Sequence, residues 1–546
     1  HGRVRMRALP DGVELSGRGL ALVMERGPEI PRTDFDIAWR PQAGGVLGAS
    51  LLDLEAIGDL ADSLPLPPQI AARLEEFAPR GRLTDSRLEW TGPFDAPTRY
   101  SARARFTGLA LRPQGDVPGF SGISGSLEAT QDKGRLHLAS RKSAIVLPRV
   151  FPDPNLAFDS LAGDLEWQRE GAQGFTVRVS SLSFANAHAS GNLFGSYSWR
   201  GDGPGTIDLS AVANRADGRH AARYLPHPGM MGEVAHKFLS SAIVAGDAGD
   251  VRVRLRGDLQ RFPFADPASG EFQLSMRIEN GVLEYQPGWP RIRDISAELS
   301  IERDALQVIG RSGSILGAKV ANVRVTIPRI YREAHVLVNG QAEGATTEFL
   351  KFLETSPLRD TAGSFTAGLK AAGNGRLRLK LDLPIAEMAK ARVAGEYEFA
   401  ANQVSVVPWL PPVEAAAGRL AFSESGFTLK DVRGRVLGGA LAVSGGSQPR
   451  RGVEVVARGE ASVEAAGALI DNPLRKYLSG GFSYVVNVRE QNGAVRIGFE
   501  SPLRGVESRL PAPLAKSAAE PLPLRVDVIP SARGERDRIA IALGGL

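Results

Sequence analysis

Across residues 270–327 apolar and polar side chains change places at almost every step. Phe272, Leu274, Met276 and Ile278 alternate with Gln273, Ser275, Arg277 and Glu279. A period of two is the mark of a strand with one apolar and one wet face. Asn280-Gly281 reads as a type I′ hairpin turn, and alternation resumes at Leu299–Ile301, Leu306–Val308 and Val323–Ile327. About five strands joined by short turns describe an antiparallel meander. Such a sheet buries one face only, so the rest of the chain is read for what covers that face.

The alternation recurs. It is present in Val13-Glu14-Leu15, Phe35-Asp36-Ile37 and 82–90, and it is interrupted by four short helical or Pro-broken segments. The first, about Asp53 to Pro79, places Leu54, Ile57 and Leu60, then Ile70, Leu74 and Phe77, at helical spacing. Pro65, Pro67 and Pro68 divide it into two helices. The second follows Arg219, the third follows Thr346, and the fourth surrounds Pro473. Ser356-Pro357-Leu358-Arg359 matches Asn472-Pro473-Leu474-Arg475, and Gly375 matches Gly493. Gly288-Trp289-Pro290 and Pro408-Trp409-Leu410 open similar strand blocks. Self-similarity at a long period predicts stacked repeats. The expected organisation is the end of one β repeat over 1–52, repeats over 53–218, 219–345 and 346–460, and a partial repeat over 461–546. The fold class is mainly β, with stacked antiparallel meanders forming a long twisted, curved sheet and short crossover helices between repeats. Its apolar face either closes as a core or stays open as a groove.

Composition narrows the chemistry. The chain has no Cys, which removes disulfides, thiolate metal sites and a Cys nucleophile. A net charge of +5 over 546 residues, with Arg scattered singly, describes solvated strand faces and not a nucleic-acid patch. No apolar run approaches the ~20 residues that span a bilayer, and His1 suggests an internal piece of a longer protein. His220, His227 and His236 do not have zinc-ligand spacing. Glu75-Glu76 reads as a solvated helix face. Neither a GxSxG elbow nor a phosphate-binding GxxxxGK[ST] loop occurs. No catalytic residue, metal site or cofactor is expected. Trp289 and Trp409 read as packing anchors at strand corners, or as lipid-facing interfacial residues.

Several blocks carry a specific resemblance: LADSLPLPP, VPGFSGISGSLEATQDKGRLHLAS, FLSSAIVAGDAGDVRVRLRGDL, LEYQPGWPRIRDISAELSIE and SPLRDTAG. With the closing LPAPLAKSAAEPLPLRVDV, they resemble the large bacterial AsmA-like proteins, specifically the YhdP group. The resemblance implies an internal portion of a repeating β-groove bridge that is anchored in the inner membrane and lies in the periplasm. It implies phospholipid as the cargo carried toward the outer membrane, and contact with both membranes through regions outside this chain. It offers no catalytic motif and does not identify a protein partner.

The residues agree with that expectation. Exposing an acyl chain of about 16 methylenes to water costs on the order of 13 kcal/mol at ~0.8 kcal/mol per methylene. An apolar trough removes most of that cost. The expected lining is Val251, Val253, Leu255, Phe272, Leu274, Met276, Ile278, Leu299, Ile301, Leu306 and Val308. It continues with Leu377, Leu379, Leu381, Val495, Ile497 and Phe499. Arg252, Arg254 and Arg277 face the other way and are expected to tolerate Gln. The alternatives are a closed β array with a structural or adhesive role, and an envelope enzyme, which would need a cleft of convergent acids or a nucleophile with its base.

Overall fold

The computed structural model describes residues 2–22, 30–60, 68–115, 117–171, 173–331, 335–359, 368–406, 411–448, 452–469, 473–491, 494–529 and 538–545. Pro65, Pro67, Trp409, Asn472 and Gly493 lie outside them. Contacts divide the chain into two units, 1–283 with 298–306, and 284–297 with 307–546.

In the first unit fourteen strands, from Arg3–Leu9 to Gly270–Leu283, each pair antiparallel with the next in sequence. In the second, the strands from Ala318–Ile327 to Ala494–Ser501 do the same. Leu524–Ile529 and Arg538–Leu543 then extend the sheet. The short strand Val506–Ser508 folds back on the start of Leu478–Gln491. The predicted class, mainly β and built from antiparallel meanders, is what forms.

The helices interrupt the meander at corresponding strand ends. Among the described residues they are α1 (Leu54–Asp59), α2 (Pro68–Phe77), α3 (Pro228–Met231), α4 (Glu233–Ala242), α5 (Thr346–Thr355) and α6 (Val463–Gly467). Local caps set where three of them start. Asp53 accepts from the Ala56 amide at 3.3 Å, Glu348 accepts from the Ala345 amide at 3.1 Å, and Ser462 accepts from the Ala465 amide at 3.0 Å. In the first unit α1–α2 and α3–α4 follow strands that run in the same direction, so both lie on one rim of that unit's sheet. The opposite rim is made of hairpin ends. In the second unit α5 and α6 share a rim in the same way.

One sequence expectation fails locally. Asn280-Gly281 does not turn the chain; both lie inside the strand Gly270–Leu283. Asn280 takes φ +53° at a bulge and donates to Asp247 Oδ2 at 3.1 Å. A hairpin turn and a bulge both need left-handed backbone, so the same residue signals either. The strand that carries Val251, Val253 and Leu255 begins at Ile243, directly after α4.

Bulges repeat through both units, with Asp85, Asp250, Asn322 and Asp431 at φ 50–53° where the register shifts. An extra residue changes which parity faces which side. Ala248 pairs with Ile278 before the Asp250 bulge, and Val253 pairs with Leu274 after it. The bulge therefore keeps the apolar side chains on one face of a strand too long to hold a single parity.

Candidate functional site: the apolar face of the sheet

Register turns the alternation into continuous rows across the strands. In the first unit one row runs Leu83, Phe106, Gly125, Leu138, Gly163, Leu182, Leu193, Ala211, Val253, Leu274. The next runs Leu127, Leu136, Leu165, Val179, Gly195, Leu209, Leu255, Phe272. In the second unit a row crosses twelve strands: Val320, Ala342, Leu377, Tyr397, Leu420, Leu429, Gly445, Val455, Val488, Ile497, Val528, Ile539. None of these positions is charged. At ~4.8 Å between strands, that row spans roughly 50 Å.

All seventeen expected lining residues are half-buried; none is sealed and none is fully exposed. The first set comes together, with Val253 opposite Leu274, Leu255 opposite Phe272, and Met276 facing the Asp250–Val251 bulge. Leu299, Ile301, Leu306 and Val308 alternate along strands Ile292–Glu302 and Ala305–Ile315. In the second unit Leu379 lies between Gly340 and Gly395, Leu381 between Val338 and Val393, and Phe499 between Val486 and Val526. Val495 lies opposite Glu490, so its end of the row is not purely apolar.

Half-burial extends well beyond the expected set. The chain exposes 33503 Å². Two separate compact units of half its mass would together expose roughly 23,000 Å². Sealed apolar side chains gather in small clusters, such as Phe106, Ile123, Leu138 and Leu161 in the first unit and Val436, Leu441, Ala461 and Tyr484 in the second. A closed array would bury whole rows of this kind to the same degree.

The opposite face carries the charge. Arg376 pairs with Glu343 at 3.2 Å, Arg489 with Glu454 at 2.8 Å, and Arg277 with Asp250 at 3.1 Å. Arg254 is set deeper than its neighbours. It donates to Asp208, to Ser210 Oγ at 3.2 Å and to the Leu209 carbonyl at 3.4 Å. That hydrogen bond holds the Asp208 carboxyl below the usual carboxylate range and raises the Arg254 guanidinium. The expected tolerance of Arg254 to Gln therefore needs revision, because this side chain ties two strands together.

Other singled-out residues have structural surroundings. Trp289 packs at a tilt against Tyr285 and Phe352, with centroids 6.1 and 5.8 Å away, as a packing anchor does. Burial there pushes the Tyr285 hydroxyl up to about 12. His227 Nε2 meets the Pro148 carbonyl at 3.0 Å, and His220 stacks on His188 at 3.6 Å. Among the described residues no group of His, Asp or Glu is arranged to hold a metal ion.

Sequence reasoning missed one recurring arrangement. Aromatic side chains fill the space beside glycines of the neighbouring strand on the apolar face: Phe35 at Gly17, Trp167 at Gly134, Phe422 at Gly395, and Tyr484 at Gly459. A Cβ on Gly134 would sit 2.1 Å from the Trp167 ring. The glycines are visible in the sequence, but their partners emerge only from register.

Among the described residues no helix is long and apolar enough to cross a membrane. The family model described as YhdP protein matches residues 1–546. The chain is 25% identical over 489 residues to the intermembrane phospholipid transporter YhdP of Escherichia coli (strain K12). That match covers 88% of this chain and 38% of the relative, so the chain spans well under half the relative's length. No solved structure matches the chain.

Proposed function

The chain belongs to the YhdP family, and from that premise we propose that it is a segment of a lipid conduit. The half-exposed apolar rows are its path, and phospholipid acyl chains rest on them during passage between the inner and outer membranes. This segment lies in the periplasm, within a protein anchored in the inner membrane. The repeats divide at 53, 219, 346 and 461, beside the crossover helices. The seventeen lining residues named from the sequence form part of the path.

One observation carries the reading: apolar rows run in register across ten strands of the first unit and twelve of the second, and most of their side chains are left half-buried. Burying apolar surface yields about 25 cal/mol per Å². A face left half-open over ten or more strands forgoes that gain along its whole length, as a face that holds a transient guest must. Even lining favours sliding, because no position binds tightly enough to hold a lipid. The charged outer face keeps the sheet soluble, and its ion pairs contribute ~0–1 kcal/mol each. The name of the Escherichia coli relative supports phospholipid as the cargo.

Mass spectrometry of lipids retained after mild extraction tests the reading. Phospholipid should copurify with the parent protein and fall at least tenfold with Leu274→Asp, while thermal stability holds. A parent without lipid, or charged variants that carry it normally, would refute the path.

A further inference from the structure

The two rims of the first unit's sheet differ in composition. All four tryptophans of that unit lie on the apolar face near the hairpin ends, opposite the helical rim. Trp39 and Trp90 are next to last in their strands, Trp199 is last, and Trp167 is three residues from its end. Register brings Tyr100 opposite Trp90 and Trp199 opposite Phe175, and places Tyr197 one strand beyond Val177, the partner of Trp167. The fold does not require such a belt. The second unit turns equivalent hairpins with Phe422 and Phe427, and its described hairpin ends carry no tryptophan.

The protein uses some of the polar tips of this belt and leaves others open. Trp199 Nε1 donates to the Gly203 carbonyl and Tyr197 donates to the Pro204 carbonyl, both at 3.1 Å. Trp90 is 8% exposed, yet its Nε1 has no acceptor on the protein. Trp39 is 41% exposed and Tyr100 is 36% exposed. Arg99 and Arg200 stand exposed at the same hairpin ends, with Asp95 and Asp202 in the same turns.

Tryptophan and tyrosine favour the boundary between hydrocarbon and water, with the ring in oil and the polar tip outward. Guanidinium groups favour phosphate. We propose that the hairpin rim of the first unit is the track for the polar heads of glycerophospholipids. It orients each lipid so that the head rides beside the Trp/Tyr belt and the acyl chains point across the floor toward the helical rim. Bases and acids share the turns, so the head it suits is zwitterionic, a phosphate joined to an ammonium. This inference rests on the conduit reading and adds an orientation that the reading lacks.

Two phosphatidylethanolamine probes test it on the purified protein, one with a diazirine on the head and one with a diazirine in mid-chain. The head probe should label residues 39–44, 90–100 and 197–206, and the chain probe should label strands bearing Leu127, Leu165 and Leu209. Combining Trp39→Leu with Trp167→Leu should cut head labelling at these ends at least fivefold and leave chain labelling unchanged, with Tyr at both positions restoring it. Equal loss of both labels would mark the rings as merely structural and overturn the inference. So would head labelling of the helical rim at 218–242, or labelling of the hairpin ends only by intact vesicles, which would make the rim a bilayer contact. If the chain probe marks the floor and the head probe marks neither rim, the conduit stands and the track fails. If neither probe marks the apolar face, both fail.

Discussion

At the scale of single residues, the two faces of a strand should respond differently to charge. Met276→Arg puts a cation among half-buried apolar neighbours and is expected to cut transport at least tenfold, about 1.4 kcal/mol in occupancy. Arg252→Gln and Arg277→Gln should leave transport and melting temperature unchanged, because Arg252 is exposed and the exposed Arg277–Asp250 pair contributes little. Arg254→Gln should destabilise the protein by about 1 kcal/mol, read by thermal denaturation, because its guanidinium ties Asp208, Ser210 and the Leu209 carbonyl together. Melting Arg254→Gln and Arg252→Gln side by side checks the distinction; equal midpoints would refute it. Thr346 is a second sensitive point. Its hydroxyl accepts from Tyr397 at 2.8 Å and from the almost fully buried Asn402 at 2.5 Å. Thr346→Val strands both donors and should cost roughly 1–3 kcal/mol, seen as faster amide exchange across α5.

At the scale of elements, strand and helix positions were legible and their junctions were not. Alternation identified Phe272 to Ile278 because period two survives any register. The Asn280-Gly281 pair misleads because left-handed backbone serves bulges as well as turns. Asp85, Asp250 and Asp431 carry the same signal, and recognising Asp or Asn in mid-strand as a bulge would have found them. The helical rim of the first unit also carries a pH-sensitive contact. His188 stacks on His220, with ring planes 8° apart, and its Nδ1 meets the Tyr224 hydroxyl at 3.0 Å. Burial, with His220 and Arg223 nearby, holds His188 below its ordinary 6.5, although Asp217 opposes this. The unfolded chain then takes the proton first, so stability is present above pH 6.5 and falls as pH drops below it. Melting midpoints between pH 8 and pH 5 should decline, and His188→Gln should flatten that decline. An unchanged slope would refute the coupling.

At the scale of the whole molecule, the sequence spoke through repetition and the structure through register. Parity alone marks the seventeen lining residues, and parity cannot say whether a face is sealed. Half-burial of Leu274, Leu377 and Ile497 appears only when neighbouring strands are placed. The tryptophan belt was hidden for a related reason: Trp39, Trp90, Trp167 and Trp199 are far apart in sequence and share a rim only because the strands alternate in direction. The central claim is that lipid touches the apolar rows in both units and not the opposite face. Photocrosslinking in living cells, with a benzophenone amino acid placed singly at 274, 377 and 497 and at the outward neighbours 273, 378 and 496, tests it most directly. The account predicts phospholipid adducts at the first three positions and none at the others; adducts on both faces alike, or on neither, would contradict it.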